Sequence, residues 1–194
     1  MNIDDNLELP FLADRNYLHG TTLFDALLAY VPDGAGVGFK IPSLIETNRV
    51  RVTTKQRADQ TPCAILNITG AEEDEGGEIF VFPLMPSEKP SRQSCDEAGL
   101  IDICRFEDKG ISFLGEPPLS FISMSVFMNK ALIRKHAGQN PSLMFVRAEF
   151  ERVPDSFREL GLTIDYIAGN GISLSSVIVN GTPVGKLYFF QSGA

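Results

Sequence analysis

The chain has 194 residues, a formal net charge of −8 and a sequence pI near 4.8, with hydrophobic residues at 43% of the total and no Trp. That apolar content suffices for a packed core and excludes a disordered chain, while the acidity disfavours a nucleic-acid backbone or an anionic lipid surface as main partner, since both repel it at long range. No run approaches the roughly 20 apolar residues of a membrane span, and the first residues, MNIDDNLELP, are acidic where a signal peptide is basic; a cytoplasmic protein with no nucleic acid and no membrane among its partners is expected.

In chain order, the first strong helical signal follows His19-Gly20. In TTLFDALLAYV the apolar residues Leu23, Ala26, Leu27 and Tyr30 recur at three and four, with Thr21 or Thr22 as N-cap and Pro32-Asp33-Gly34 as the stop. Strand patterns follow at 37–45, at 48–55 with alternation in NRVRVTTK, at 62–69 and at 78–85, the last two separated by the charged hairpin loop AEEDEGG. Residues 86–99 are poor in apolar groups and rich in Pro, Ser and charge, which predicts an exposed, mobile connector.

Beyond the connector the same order of elements returns. LIDICRF reads as a strand, SFISMSVFMNKALIRKHAG as a longer helix ending at Gly138, and SLMFVRAEF, GLTIDYIA, GISLSSVIV and VGKLYFF as strands, with Asn180-Gly181 as a two-residue hairpin turn. The halves can be overlaid. Phe11-Leu12 matches Phe113-Leu114, Ala26-Leu27 matches Ala131-Leu132, Phe39 matches Phe145, and the strand opening at Gly77 matches that opening at Gly185, the offset drifting from 102 (Phe11 to Phe113) to 108 (Gly77 to Gly185). Such a repeat defines the architecture: a first unit over 1–85, a linker and connecting strand over 86–105, and a second unit over 106–194.

Cys63, Cys95 and Cys104 form no CxxC, and two histidines make no zinc-like cluster. Cys63 lies in an apolar run and reads as a buried thiol. No metal, no disulfide and no cofactor are expected.

A helix wrapped by an antiparallel sheet, duplicated in one chain, resembles the hotdog fold, specifically the double hotdog of acyl-thioester dehydratases, hydratases and thioesterases. The residues that carry this resemblance are His19-Gly20, then Leu23, Ala26 and Leu27, and the Phe-rich closing strands at 79–82 and 187–190. The class it implies is α+β, two helices each packed on an antiparallel sheet. Asp14-Arg15-Asn16-Tyr17-Leu18-His19 is similar to the D-x-N-P-[LIV]-H segment of MaoC-like enoyl-CoA hydratases, with Tyr17 in place of the proline and Asp25 where a small residue is usual. A rival alignment sets His19-Gly20 against the family's helix-capping H-G pair.

The resemblance implies a hydratase, dehydratase or thioesterase acting on an acyl thioester of coenzyme A or acyl carrier protein. His19 and Asp14 are then the acid/base pair and Asp25 a second carboxylate, with Asn16 and Gly20 binding the ligand. An imidazole's ordinary pKa of about 6.5 suits proton transfer at neutral pH. His136, beside Arg134 and Lys135, reads as a structural helix C-terminus. The second half has Glu116 in place of Asp14, and Phe121 or Met124 where His19 maps. An acidic carrier protein needs a basic surface, which Lys40, Arg49, Arg51, Lys55 and Arg57 can supply; the competing reading of those charges is a solvated edge strand. The other class of function is a non-catalytic hotdog module that binds an acyl or other apolar ligand or serves as an assembly subunit; a homodimer is compatible with either.

Overall fold

The computed structural model describes residues 2–70, 76–137, 141–167 and 171–192. The chain divides into two compact units, Met1–Cys95 and Asp96–Ala194. The 71–75 part of the expected hairpin loop, and Gly138, lie outside the described residues.

Unit 1 contains β1 (Asp4–Glu8), β2 (Phe11–Leu12), α1 (Gly20–Leu28), β3 (Gly36–Lys40), β4 (Arg49–Thr53), β5 (Ala64–Thr69), β6 (Gly77–Pro83) and β7 (Arg92–Gln93). Its antiparallel sheet runs β1-β4-β6-β5-β3, and β2 pairs with β7 in a separate parallel ribbon. The helix buries Thr21, Leu23, Phe24 and Leu27 on one face. Phe24 meets Phe39 of β3 edge-on, ring centroids 5.3 Å apart, the arrangement that ring quadrupoles favour.

The alternation read in β4 is present: Val50 and Val52 are fully buried, while Arg49 and Arg51 are half-buried. β1, which polar DDNLE did not announce, is the reason the arginines face outward as they do. Arg51 makes two hydrogen bonds of 2.6 Å to the Asp4 carboxylate, and Arg49 lies 3.9 Å from Glu8. Two of the five cations expected to form a basic surface are therefore matched by acids of the neighbouring strand.

Unit 2 contains α2 (Glu97–Asp102), β8 (Arg105–Phe106), β9 (Gly110–Leu114), α3 (Phe121–Ala137), β10 (Ser142–Phe150), β11 (Glu159–Ile167), β12 (Ile172–Val179) and β13 (Thr182–Ser192). Its antiparallel sheet runs β10-β13-β12-β11-β9-β8. α3 buries eleven of its residues and packs on α2, β9, β11 and β12, and Phe121 stacks edge-on to Phe150 and Phe157. The β12–β13 turn is as expected: Asn180 (φ 49°) and Gly181 (φ 77°) are both left-handed, the pattern of a type I′ hairpin.

Three expectations are corrected. The segment expected as the strand LIDICRF is split between α2 and β8, so the described residues hold three helices and not two. Asp96 explains it: its side chain accepts from Gly99 N at 3.0 Å and its carbonyl from Leu100 N, a helix cap that overrides the β preference of Ile101 and Ile103. The connector is largely exposed, as expected, but it is anchored. Fully buried Asn48 donates to Ser87 Oγ at 2.6 Å and accepts from Ser87 N at 3.0 Å, Phe11 N donates to Ser91 O, and Arg92–Gln93 forms β7. Lastly, both units follow a helix with four strands, but in unit 1 the strand beside β3 is β5, whereas in unit 2 the strand beside β10 is β13. The sequence overlay therefore matches the order of elements along the chain without matching each strand's neighbours.

On β10 and β13 a polar network crosses the sheet. Tyr188 Oη donates to Glu149 Oε2 at 2.7 Å, and Arg147 donates to Glu149 Oε1 while its guanidinium lies over the Tyr188 ring, 5.1 Å from the centroid. The Tyr188 hydrogen bond holds the Glu149 carboxyl below the ordinary value against the effect of burial, with Arg147 adding to it. Burial, then Glu149, pushes the Tyr188 phenol up. A depressed folded pKa gives stability that is present above the unfolded value of about 4.3 and lost as pH falls through the folded value. Glu149→Gln is expected to cost no more than about 1 kcal/mol at neutral pH, because the pair is partly solvated. Urea midpoints of the two proteins should differ at neutral pH and converge as the pH falls through the lowered Glu149 value; a difference that does not shrink on acidification would refute the linkage.

Candidate functional site

The His19 segment is built by the loop that joins β2 to α1. Ala13 sits in the left-handed region at φ 51°, a conformation that costs a residue with a Cβ and persists only where its surroundings hold it. Here Ala13 N donates to Gln93 O at 2.8 Å, and Arg92 donates from Nη1 to the carbonyls of Ala13 (2.9 Å) and Arg15 (3.0 Å) and from Nη2 to Asn16 Oδ1 (3.0 Å). Arg92 also lies over the Phe11 ring, 5.9 Å from its centroid. One guanidinium thus ties down three polar groups of the loop, which its planar fork of donors allows. Leu18 N then donates to Ile45 O at 2.8 Å, in an isolated bridge that fixes the last step before the helix.

His19 follows as the N-cap of α1, extended at φ −74°, ψ 137°, with its carbonyl accepting from Leu23 N. The expected cap, Thr21 or Thr22, is corrected. Thr21 is inside the first turn, and its hydroxyl lies 2.8 Å from His19 Nδ1. No side chain caps the helix through residue 19, and the first turn holds no acid. The helix terminus therefore carries its partial positive charge and its leading backbone N–H groups beside the imidazole. His19 is buried at 4% exposure, Thr21 at 1%, and the Tyr17 ring centroid is 6.5 Å from that of His19.

The other expected site residues are distributed as follows. Gly20 is the first helical residue and half-buried; Asp25 is half-buried on the second turn of α1; Asp14 and Asn16 are exposed in the loop. The structure brings Thr21 to the imidazole and gives the Asn16 carboxamide oxygen to Arg92. Neither contact was read from the sequence. Thr21 was assigned to capping, where the hydroxyl two residues beyond a buried histidine was the available signal, and Arg92 was hidden in a stretch whose composition says only linker. In unit 2 the residue at the helix start is Ser120, whose carbonyl accepts from Met124 N and whose Oγ accepts from Ser123 N at 3.2 Å, an ordinary serine cap.

Cys63 is an inert thiol in this arrangement. Its Sγ donates to Val81 O at 3.3 Å, and burial pushes its pKa up to about 11 although the backbone N–H groups of Cys63 and Ala64 pull the other way. The described residues contain no cluster of His, Cys, Asp and Glu able to hold a metal ion, and no described helix is long and apolar enough to cross a membrane.

No protein-family model and no curated protein matches the sequence. Solved structures do match in three dimensions. The dehydratase domain of PpsC from Mycobacterium tuberculosis, in complex with C12:1-CoA, superposes with a TM-score of 0.54 over 98% of this chain and 97% of that one at 9% identity. An acyl-ACP thioesterase from Bacteroides thetaiotaomicron gives 0.50 over 98% of both chains at 13% identity. A thioesterase II candidate from Thermobifida fusca gives 0.53 over 97% of this chain and 92% of that one at 10% identity. The chain has the hotdog fold. At these identities the likeness is one of fold. The His19 site belongs to the start of α1 in unit 1.

Proposed function

We propose that this chain is a double-hotdog protein acting on an acyl thioester of coenzyme A or acyl carrier protein, as a hydratase, dehydratase or thioesterase, with His19 as its proton-transfer group. The observation that carries the reading is the buried imidazole at the uncapped N-terminus of α1, oriented by Thr21. The kinds of substrate and reaction come from the fold relatives described above, a dehydratase domain bound to an acyl-CoA and an acyl-ACP thioesterase.

In the tautomer whose Nδ1–H donates to Thr21 Oγ1, Nε2 keeps its lone pair and acts as the base. For dehydration it removes a proton from C2 of a 3-hydroxyacyl thioester; the C3–O bond breaks, the hydroxyl takes a proton from a carboxylic acid, and water and a 2-enoyl thioester leave. Backbone N–H groups of the first turn of α1 stabilise the charge that grows on the thioester oxygen. Asp25 and Asp14 are the carboxylates proposed for the acid, and Gly20, with no side chain, lets the thioester approach the helix end. Hydrolysis uses the same base on a water molecule.

A second reading is a non-catalytic acyl-binding module. It is favoured by the exposure of Asp14, which is poorly placed to be shielded from solvent with a buried imidazole, and by the occupation of Asn16 Oδ1 by Arg92. The two are separated by assaying purified protein on enoyl, 3-hydroxyacyl and saturated acyl thioesters of coenzyme A and of acyl carrier protein. Turnover of at least one class is expected. Tight binding of acyl chains with no turnover of any would establish the module instead.

A further inference from the structure

A row of small polar side chains interrupts the apolar interior of unit 2. Ser125 and Asn129 lie one turn apart on the same face of α3, and Ser173 and Ser175 lie two residues apart on the same face of β12. All four are fully buried. The Ser175 hydroxyl donates to Asn129 Oδ1 at 2.7 Å, which joins the two rows. Three further polar atoms there have no hydrogen-bond partner: Asn129 Nδ2, Ser125 Oγ and Ser173 Oγ. Each lies within one helical turn or one strand step of the Asn129–Ser175 bond.

Stability does not account for this cluster. Interiors leave few buried polar atoms unsatisfied, because each forfeits its bonds to water and gains nothing in return. Farther along the same face of β12 the positions are Val177 and Val179, the next strand buries Leu187 and Phe189, and α3 buries Met124, Met128 and Leu132 around the pair. Apolar side chains would fill the layer at Ser125, Asn129 and Ser173 as they do at every neighbouring position.

We propose that this cluster is a binding site within unit 2 that takes a neutral oxygen, a hydroxyl or a ketone carbonyl, carried on an aliphatic chain. The chemistry of the donors sets the class. The Asn129 amide offers N–H groups to a carbonyl or hydroxyl oxygen, and the serine hydroxyls can donate to it or accept from a hydroxyl. None of the four is ionisable, so a carboxylate, phosphate or ammonium would be an uncompensated charge in an apolar layer. Lys130 is on another helix face, its Nζ 5.8 Å from the centre of the Phe127 ring. The apolar surroundings take the rest of the ligand. With no acid or base in it, the site binds and discriminates without chemistry of its own, and it does not depend on the reaction proposed for His19.

The test is calorimetric titration of the full chain with octan-2-ol and octan-2-one against sodium octanoate and octylamine, for the wild type, Asn129→Leu and Ser173→Ala. The two neutral oxygen ligands should bind the wild type and the two charged ones should not. Asn129→Leu should weaken neutral-ligand binding about tenfold or more, the worth of one neutral hydrogen bond, with no rise in melting temperature, because it also takes the acceptor from the buried Ser175 hydroxyl. Ser173→Ala, a smaller change that keeps the fold if leucine is not accommodated, should weaken binding in the same direction and raise the melting temperature by about 2–4 °C, since it removes an unsatisfied group and orphans none. Absence of neutral-ligand binding to the wild type, which leaves ordered water as the occupant, overturns the proposal. So does a loss of stability in Ser173→Ala with binding unchanged in both variants.

Discussion

His19→Ala is expected to lower acyl-thioester turnover by about 10²- to 10⁴-fold, the range for removing a general base, at a cost to stability of no more than about 1–2 kcal/mol. The two effects separate because of what the imidazole touches. His19 caps α1 through its backbone, and its carbonyl still accepts from Leu23 N when the side chain is gone. One hydrogen bond of the side chain is to Thr21 Oγ1, a partner on its own helix that can rotate its hydroxyl elsewhere. Thr21→Val is the informative companion. It keeps the shape and burial but removes the oxygen that orients Nδ1, so a smaller loss, in kcat more than in KM, is expected if the imidazole reacts through Nε2. A His19→Ala protein that keeps full turnover while melting near the wild-type temperature would remove His19 from the chemistry. One that simply unfolds would make the imidazole structural, and the Thr21→Val rates would then decide.

How much of this was open to the sequence depends on whether the stabilising partner is local. α1 is legible because Leu23 and Leu27 recur at the spacing that one face of a helix requires, and the β12–β13 turn because Asn180-Gly181 satisfies two left-handed positions by itself. β1 is not, since its acids find their partners only far along the chain, Asp5 in Tyr30 and Asp4 and Glu8 in Arg51 and Arg49. Arg92 is the same case with consequences for the site: in sequence it belongs to a Pro- and Ser-rich connector, and only the β2–β7 pairing places its guanidinium over residues 13–16. α2 failed for the opposite reason. Its signal was local, the cap at Asp96, but was outweighed by the β preference of the isoleucines around it. At the site, the helix start and its histidine were visible, whereas the roles of Thr21 and Asn16 were set by which donors came within reach. The strand order within each unit had no local determinant at all.

That last point can be tested at two glycines that sequence overlay treats as equivalent. Gly77 and Gly185 each lie on the Phe-rich strand that closes a unit, β6 or β13, and if the units were superposable residue by residue they should respond alike to substitution. The structure predicts opposite responses. A Cβ at Gly77 meets nothing within 4 Å, whereas one at Gly185 would come to 2.9 Å from Phe150 Cα and closer still to Glu149 O and Phe150 Cδ1. Those obstacles are mostly backbone of the paired strand β10, at the register Phe150↔Gly185, so no rotamer change relieves them. β13 and β10 must separate, and with them the Glu149–Tyr188 network a few residues along. Gly185→Ala is therefore expected to destabilise by about 3 kcal/mol or more, at the upper end of overpacking costs. Gly77→Ala should be neutral or slightly stabilising, by up to about 1 kcal/mol, because alanine in an extended strand narrows the unfolded ensemble without strain. Chemical denaturation of the two single variants measures both. Equal destabilisation at the two positions would mean that β6 is as closely approached as β13, and that the difference in strand neighbours between the units does not reach their closing strands.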